Sequence, residues 1–99
     1  MSAAENLLDD ARYLLKKVAF LDGQDLKSLC RDLDLPVMNM AAGDMIDQIS
    51  KKVLAAAEAY SKMPDGESKK ILSTFRYNML VKSRFLERYL DRVKRSVAV

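Results

Sequence analysis

Apolar residues recur every three or four positions along most of the chain, in stretches separated by turn-forming residues. This spacing places apolar side chains on one face of an α-helix. The first stretch consists of Leu7, Leu8, Ala11, Leu14, Leu15 and Val18. It predicts a first helix over about residues 3–20.

A second, shorter stretch follows Asp22 and Gly23, which indicate a turn and a helix cap. It consists of Leu26, Leu29, Cys30 and Leu33. The predicted second helix covers about residues 24–33. We expect Pro36 to end it, because the proline ring disfavours a helical conformation at the preceding Leu35.

Two longer helices are predicted in the second half of the chain, at about residues 41–62 and 67–96. Asn39 or Asp44 is a candidate cap for the third helix, and the sequence from Met63 to Gly66 is a strong turn signal. The apolar face of the third helix is Met45, Ile46, Ile49, Val53, Ala56, Ala57, Tyr60 and Met63. That of the fourth is Leu72, Phe75, Met79, Leu86, Leu90, Val93 and Val97.

The four stretches predict an all-α fold, a four-helix bundle-like domain that spans residues 1–99 as a single domain. Its two shorter N-terminal helices precede a long antiparallel helical hairpin, because only a four-residue turn separates the last two helices. The length of 99 residues, 49% hydrophobic content and 31% charged content suit one globular domain. With no signal peptide and no apolar run long enough to span a membrane, we expect an intracellular protein, cytoplasmic or nuclear.

Several kinds of chemistry are excluded or unsupported by the residue types present. The chain has no histidine, which removes the commonest general base and metal ligand. Its single cysteine, Cys30, excludes an internal disulfide, and its place in an apolar stretch indicates a core residue. The 3 glycines are isolated, so no phosphate-binding loop is present. We expect a protein that is not an enzyme and has no cofactor, metal or small-molecule substrate.

Charge is distributed unevenly along the chain, although the net charge is only +3. Residues 1–50 hold 5 Lys and Arg against 9 Asp and Glu, and residues 51–99 hold 12 against 5. Two interpretations remain open. The two halves pack as complementary faces of one fold, or the basic half meets an anionic partner.

The fourth predicted helix carries a basic face opposite its apolar one, formed by Lys70, Arg84, Arg88, Arg92 and Arg95. Like charges four residues apart destabilise an isolated helix by a few tenths of a kcal/mol per pair. Arginine also binds phosphate well through its planar fork. The face is therefore solvated, ion-paired to the acidic half of the chain, or bound to nucleic acid, an acidic protein or an anionic membrane surface.

Additional apolar residues lie beside the main apolar face of the same helix, at Leu80, Val81, Phe85 and Tyr89. An apolar arc this wide indicates burial on more than one side, against the first helix, a partner or a second copy of the chain. We therefore expect a non-catalytic interaction or regulatory protein that binds a protein partner, or itself as a homodimer, through the C-terminal hairpin. The alternative is a nucleic-acid-binding protein that uses the arginine-rich face, and a membrane surface is the weakest candidate partner.

The segment from Leu26 to Pro36, followed by Met45 to Ile49, resembles the SAP family of DNA-binding helix-loop-helix modules. The leucines, the Leu35-Pro36 pair and the second apolar helix occur in the same order. The resemblance covers about a quarter of the chain. The family's loop glycine and lysine have no basic counterpart here, so the resemblance implies a helix-loop-helix unit and no binding residues.

Overall fold

The computed structural model describes residues 3–64 and 66–83 of the chain. These residues form four α-helices and no strand: α1 (Ala3–Leu15), α2 (Gly23–Asp32), α3 (Ala42–Lys62) and α4 (Glu67–Tyr77). A short 3-10 helix (Val18–Phe20) precedes α2, and a π-helical turn (Asn78–Lys82) follows α4. Helix α3 packs against the other three, and α1 also packs against α4. The prediction of an all-α, bundle-like fold is confirmed.

One hydrophobic core joins all four helices, and it is built from the predicted apolar faces. The completely or almost completely buried residues include Ala11, Leu14, Leu26, Leu29, Cys30, Ile49, Val53, Leu72, Phe75 and Met79. Met63 was wrongly assigned to this face, since it lies just beyond the end of α3 and is 71% exposed. Leu86, Leu90, Val93 and Val97 lie outside the described residues.

The first helix is shorter than the predicted 3–20, because α1 ends at Leu15. The backbone N–H groups of Lys16 and Lys17 donate to carbonyls three residues back, at 3.3 and 2.9 Å. Such bonds tighten the chain into a turn and lead into the 3-10 helix. The turn redirects the chain towards α2 while Val18 and Leu21 stay buried.

Helix α2 begins and ends through local hydrogen bonds. The Asp22 carboxylate accepts a bond from the N–H of Asp25 at 2.8 Å, which confirms the predicted cap. At the other end Asp34 adopts a positive φ of 60° and the N–H of Leu35 donates to the Cys30 carbonyl at 2.8 Å. This is a Schellman turn. The prediction that Pro36 ends the helix is therefore wrong in its cause, because the turn closes before the proline.

Helix α3 matches its predicted range, but neither predicted cap is used. Ala41 occupies the cap position and makes no side-chain hydrogen bond. Asn39 lies in the preceding turn with a positive φ of 59°. Asp44 lies inside the first turn of the helix, where its negative charge interacts favourably with the helix dipole.

The fourth helix begins as predicted after the turn at Gly66, whose φ is 75°, but it is not a continuous α-helix. The N–H of Ser83 donates to the carbonyl of Asn78, five residues back, at 2.9 Å. In an unbroken α-helix, Lys82 would follow Asn78 and Met79 onto the buried face. The wider turn buries Ser83 there instead and leaves Lys82 exposed. The predicted continuation to residue 96 lies outside the described residues.

Candidate functional site

The predicted interaction residues fall into two groups in the structure. Lys70 lies exposed on α4, and Leu80 and Val81 lie in the π-helical turn with 36% and 58% of their surface exposed. The remaining members of both predicted faces, Arg84, Arg88, Arg92, Arg95, Phe85 and Tyr89, lie outside the described residues.

Lys70 has surroundings of mixed charge. It lines a small cavity of about 20 Å³, room for a water molecule, together with Asp32, Asp34, Glu67 and Lys52. Three carboxylates therefore border the one member of the predicted basic face that the structure describes. At this point the surface is not a continuous track of positive charge.

Two ion pairs join the basic second half of the chain to the acidic helices of the first half. The Nη1 atom of Arg76 lies 3.4 Å from Oδ2 of Asp10, and Nζ of Lys82 lies 2.9 Å from Oδ2 of Asp32. Part of the excess positive charge is thus neutralised within the fold. These contacts support the interpretation that the two halves pack as complementary faces.

Asp32 is the centre of a small polar cluster at the π-helical turn. Its Oδ2 also accepts a hydrogen bond from the amide of Asn78 at 3.0 Å, and the same amide donates to the Thr74 carbonyl at 3.0 Å. The hydrogen bonds from Lys82 and then Asn78 lower the pKa of Asp32, against the opposing effect of partial burial. Sequence reasoning missed this cluster, for which the available signal was a polar residue at Asn78 between Phe75 and Met79.

Three exposed apolar side chains form what we call the apolar patch: Tyr77, Leu80 and Val81. Their exposed fractions are 56%, 36% and 58%. Spacings of three and four residues place them on one side of the helical stretch. Tyr77 was not among the predicted interface residues, although it has the same spacing.

A second surface, the α1–α3 groove, lies between these two helices and has an open volume of about 460 Å³. Its lining residues are Arg12, Leu15, Lys16, Ser50 and Leu54. Leu54 is 56% exposed, and both charged lining residues are basic. Sequence reasoning missed this groove, whose only signal was one leucine on the otherwise polar side of α3.

An aromatic pair lies near the end of α1. Tyr13 and Phe20 are about half exposed, and Nζ of Lys17 lies 5.6 and 5.7 Å from their ring centroids. These distances are within the range of cation–π attraction. The lysine therefore helps to hold both rings at the surface.

Two observations bear on thiol chemistry and metal binding within the described residues. Cys30 is fully buried, and burial raises the pKa of its thiol, which further disfavours the reactive thiolate. Within residues 3–64 and 66–83, no three acidic or cysteine side chains cluster in a way that would hold a metal ion. None of the helices in these ranges is both long and apolar enough to cross a membrane.

Comparison with known proteins gives no relative from which a function could be transferred. Helix α2, its connector and α3 do occur in the helix-loop-helix order on which the SAP resemblance rests. No protein-family model matches the chain, and no curated protein or solved structure is significantly similar to it.

Proposed function

We propose that this chain is a non-catalytic helical protein that binds a protein partner through the exposed side of its C-terminal hairpin. The observation that carries the proposal is the apolar patch of Tyr77, Leu80 and Val81. Single exposed apolar residues are common on protein surfaces, but adjacent ones are typical of interaction sites.

The apolar patch is held on a well-anchored element. Phe75 and Met79 are fully buried on the other side of the same helical stretch, and Asn78 is 4% exposed and bonded to Asp32. A surface that is already ordered loses little conformational entropy when a partner binds. This support favours recognition of a partner over an incidental exposure of apolar side chains.

The charges beside the apolar patch favour a different protein over a second copy of this chain. The described part of the helix carries Lys69, Lys70, Arg76 and Lys82 against Glu67 alone. Arg76 and Lys82 are ion-paired within the fold, but Lys69 and Lys70 form no ion pair in the described residues and would repel their copies in a symmetric dimer, where each patch meets its own copy. A partner with apolar side chains surrounded by acidic ones fits this surface better.

Two features of the residue types present support the non-catalytic part of the proposal. The sequence has no histidine, and the thiol of its single cysteine is buried. We infer an adaptor or regulatory role, in which binding itself is the activity.

Site-specific photo-crosslinking in the native source tests the proposal. A photoreactive amino acid replaces Val81 in one variant and Met38, which is 83% exposed in the α2–α3 connector, in a control variant. We expect an adduct with a distinct protein from position 81 only. The purified partner should then bind about tenfold more weakly to the Leu80→Ser variant, because a buried apolar contact is lost.

Three outcomes would contradict the proposal. Identical adducts from positions 81 and 38 would mean that the patch does not select a partner. An adduct of two copies of this chain would identify self-association. Oligonucleotide binding that falls steeply with salt, with no protein adduct, would favour the nucleic-acid alternative.

A further inference from the structure

The α1–α3 groove is a second surface that the proposed function does not use. Half-buried Leu15 and exposed Leu54 supply its apolar side chains, and exposed Arg12 and Lys16 supply its charge. Leu54 is the most exposed leucine among the described residues. Because more than half of its surface is exposed, whereas the adjacent Val53 is fully buried, Leu54 contributes little to the core.

The two cations of the groove form no ion pair within the part of the chain that the structure describes. Neither Arg12 nor Lys16 forms an ion pair with another residue of the described chain, in contrast to Arg76 and Lys82. Asp9 and Asp47 lie three residues before Arg12 and Ser50, but neither lines the groove. Among the described residues, the groove therefore combines an apolar floor with two basic side chains and no acidic side chain in its lining.

We propose that the α1–α3 groove binds a short acidic amphipathic helix of a protein partner. A helix that docks between two others inserts apolar side chains spaced three or four residues apart. Such side chains would contact Leu15 and Leu54, and flanking carboxylates would pair with Arg12 and Lys16. The groove is shallow and open to solvent, which suits a helix laid along the surface better than an enclosed small molecule.

Charge and side-chain type argue against other occupants. Residues 84–99 of this chain carry five Lys and Arg against two Glu and Asp, so they match the groove poorly. In a symmetric dimer the groove would meet its own copy, so Arg12 and Lys16 of one chain would face the same cations of the other. No aromatic side chain lines the groove to stack on nucleic-acid bases.

Selection from a phage-displayed library of random peptides against the full chain tests the proposal and does not require the natural partner. We expect enriched peptides with two or more apolar residues at helical spacing and several Asp or Glu between them. The best peptide is then synthesised with a fluorescent label, and its Kd is measured by fluorescence anisotropy.

The variants separate the apolar and the charged contributions. We expect Leu54→Asp to raise the Kd by at least about tenfold. The double change Arg12→Gln and Lys16→Gln should raise it about fivefold at low salt and less at high salt, because salt screens exposed charges. Met38→Asp, at an exposed apolar position in the α2–α3 connector, is the matched control and should leave the Kd unchanged. Leu80→Ser separates this proposal from the apolar patch: a Kd that rises in Leu80→Ser and not in Leu54→Asp would mean that the peptide binds the patch and not the groove.

All substituted side chains are exposed, so the variants should fold, and circular dichroism and urea unfolding verify this. Several results would overturn the proposal: no enriched peptide, enriched basic peptides, or binding that is unchanged by Leu54→Asp. Oligonucleotide binding that depends on Arg12 and Lys16 but not on Leu54 would identify a phosphate site instead. A dimer in sedimentation that Leu54→Asp dissociates would identify a second copy as the occupant.

Discussion

Basic residues on two sides of this bundle have different surroundings. Beside α4, Arg76 and Lys82 are paired with Asp10 and Asp32 across helices, at 3.4 and 2.9 Å. In the α1–α3 groove, Arg12 and Lys16, which have no ion pair among residues 3–64 and 66–83, lie beside the exposed Leu54. The first side uses its charge to hold helices together, whereas the second has charge available for a partner.

The ion pairs show that a charge sum over half of a sequence does not reveal which of its cations are neutralised within the fold. The second half of the chain holds the excess of positive charge, yet two of its cations are ion-paired within the fold. The unpaired cations of the groove, Arg12 and Lys16, belong to the half whose net charge is negative. The position of a charge relative to carboxylates on other helices decides whether it can serve a partner.

The largest expected difference in stability is between a substitution at Phe75, a core residue of α4, and one at Leu54 in the α1–α3 groove. Phe75 is fully buried and Leu54 is 56% exposed. We expect Phe75→Ala to lower the free energy of unfolding by about 3–5 kcal/mol, because it leaves a cavity in the core. Leu54→Ser should change it by less than about 0.5 kcal/mol. Urea unfolding followed by circular dichroism measures both.

The milder Phe75→Leu variant keeps this measurement informative if Phe75→Ala does not fold. If Leu54→Ser lowered the free energy of unfolding by more than about 2 kcal/mol, Leu54 would not behave as a surface residue, since surface substitutions rarely cost so much. Leu54 would then be part of the core, and the α1–α3 groove would not be a free surface.

Helix positions could be predicted well because burial imposes a period on the sequence. Leu26, Leu29, Cys30 and Leu33 are all buried as predicted, and α3 begins and ends within a residue of its predicted range. Each of these inferences needs only the spacing of apolar residues within one helix. The fold class followed from the same information.

The helix ends and the candidate site could not be predicted in this way, because they depend on contacts between residues that are far apart in the sequence. The π-helical turn is fixed by bonds from Asn78 and Lys82 to Asp32, 46 and 50 residues earlier in the sequence. Arg76 meets Asp10 across 66 residues. Spacing within one helix predicts which side chains share a face, but it does not identify the neighbouring helix. For this reason the α1–α3 groove was also missed.

A smaller effect is expected from the buried amide at the π-helical turn. Asn78→Ala removes the donor to both the Asp32 carboxylate and the Thr74 carbonyl, and should lower the free energy of unfolding by about 1–3 kcal/mol. Ser73→Ala, at a half-buried position of the same helix, is the control and should cost less than about 0.5 kcal/mol. Equal losses in the two variants, measured by urea unfolding, would show that the amide does not anchor the turn.

The smallest expected effect on stability is the loss of the ion pair between Lys82 and Asp32, compared with a substitution at Arg12, which has no ion pair in the described chain. The side chains of Lys82 and Asp32 are 45% and 35% exposed, so their ion pair should contribute less than about 1 kcal/mol. Hydrogen bonds lower the pKa of Asp32 in the folded state relative to the unfolded chain. Its carboxylate therefore stabilises the fold at neutral pH, and this contribution disappears as the pH falls below about 4.

Urea unfolding of the Asp32→Asn and Arg12→Gln variants, at neutral and at acidic pH, detects this difference. Asp32→Asn should be less stable than the unmodified chain at pH 7, and the gap should narrow in acid, where Asp32 is protonated in both states. Arg12→Gln should match the unmodified chain at both pH values, because Arg12 has no ion pair in the described chain to lose. A gap for Asp32→Asn that does not change with pH would mean that the lost stability comes from packing. The ion pair between Lys82 and Asp32 would then contribute as little to the free energy of unfolding as Arg12 does.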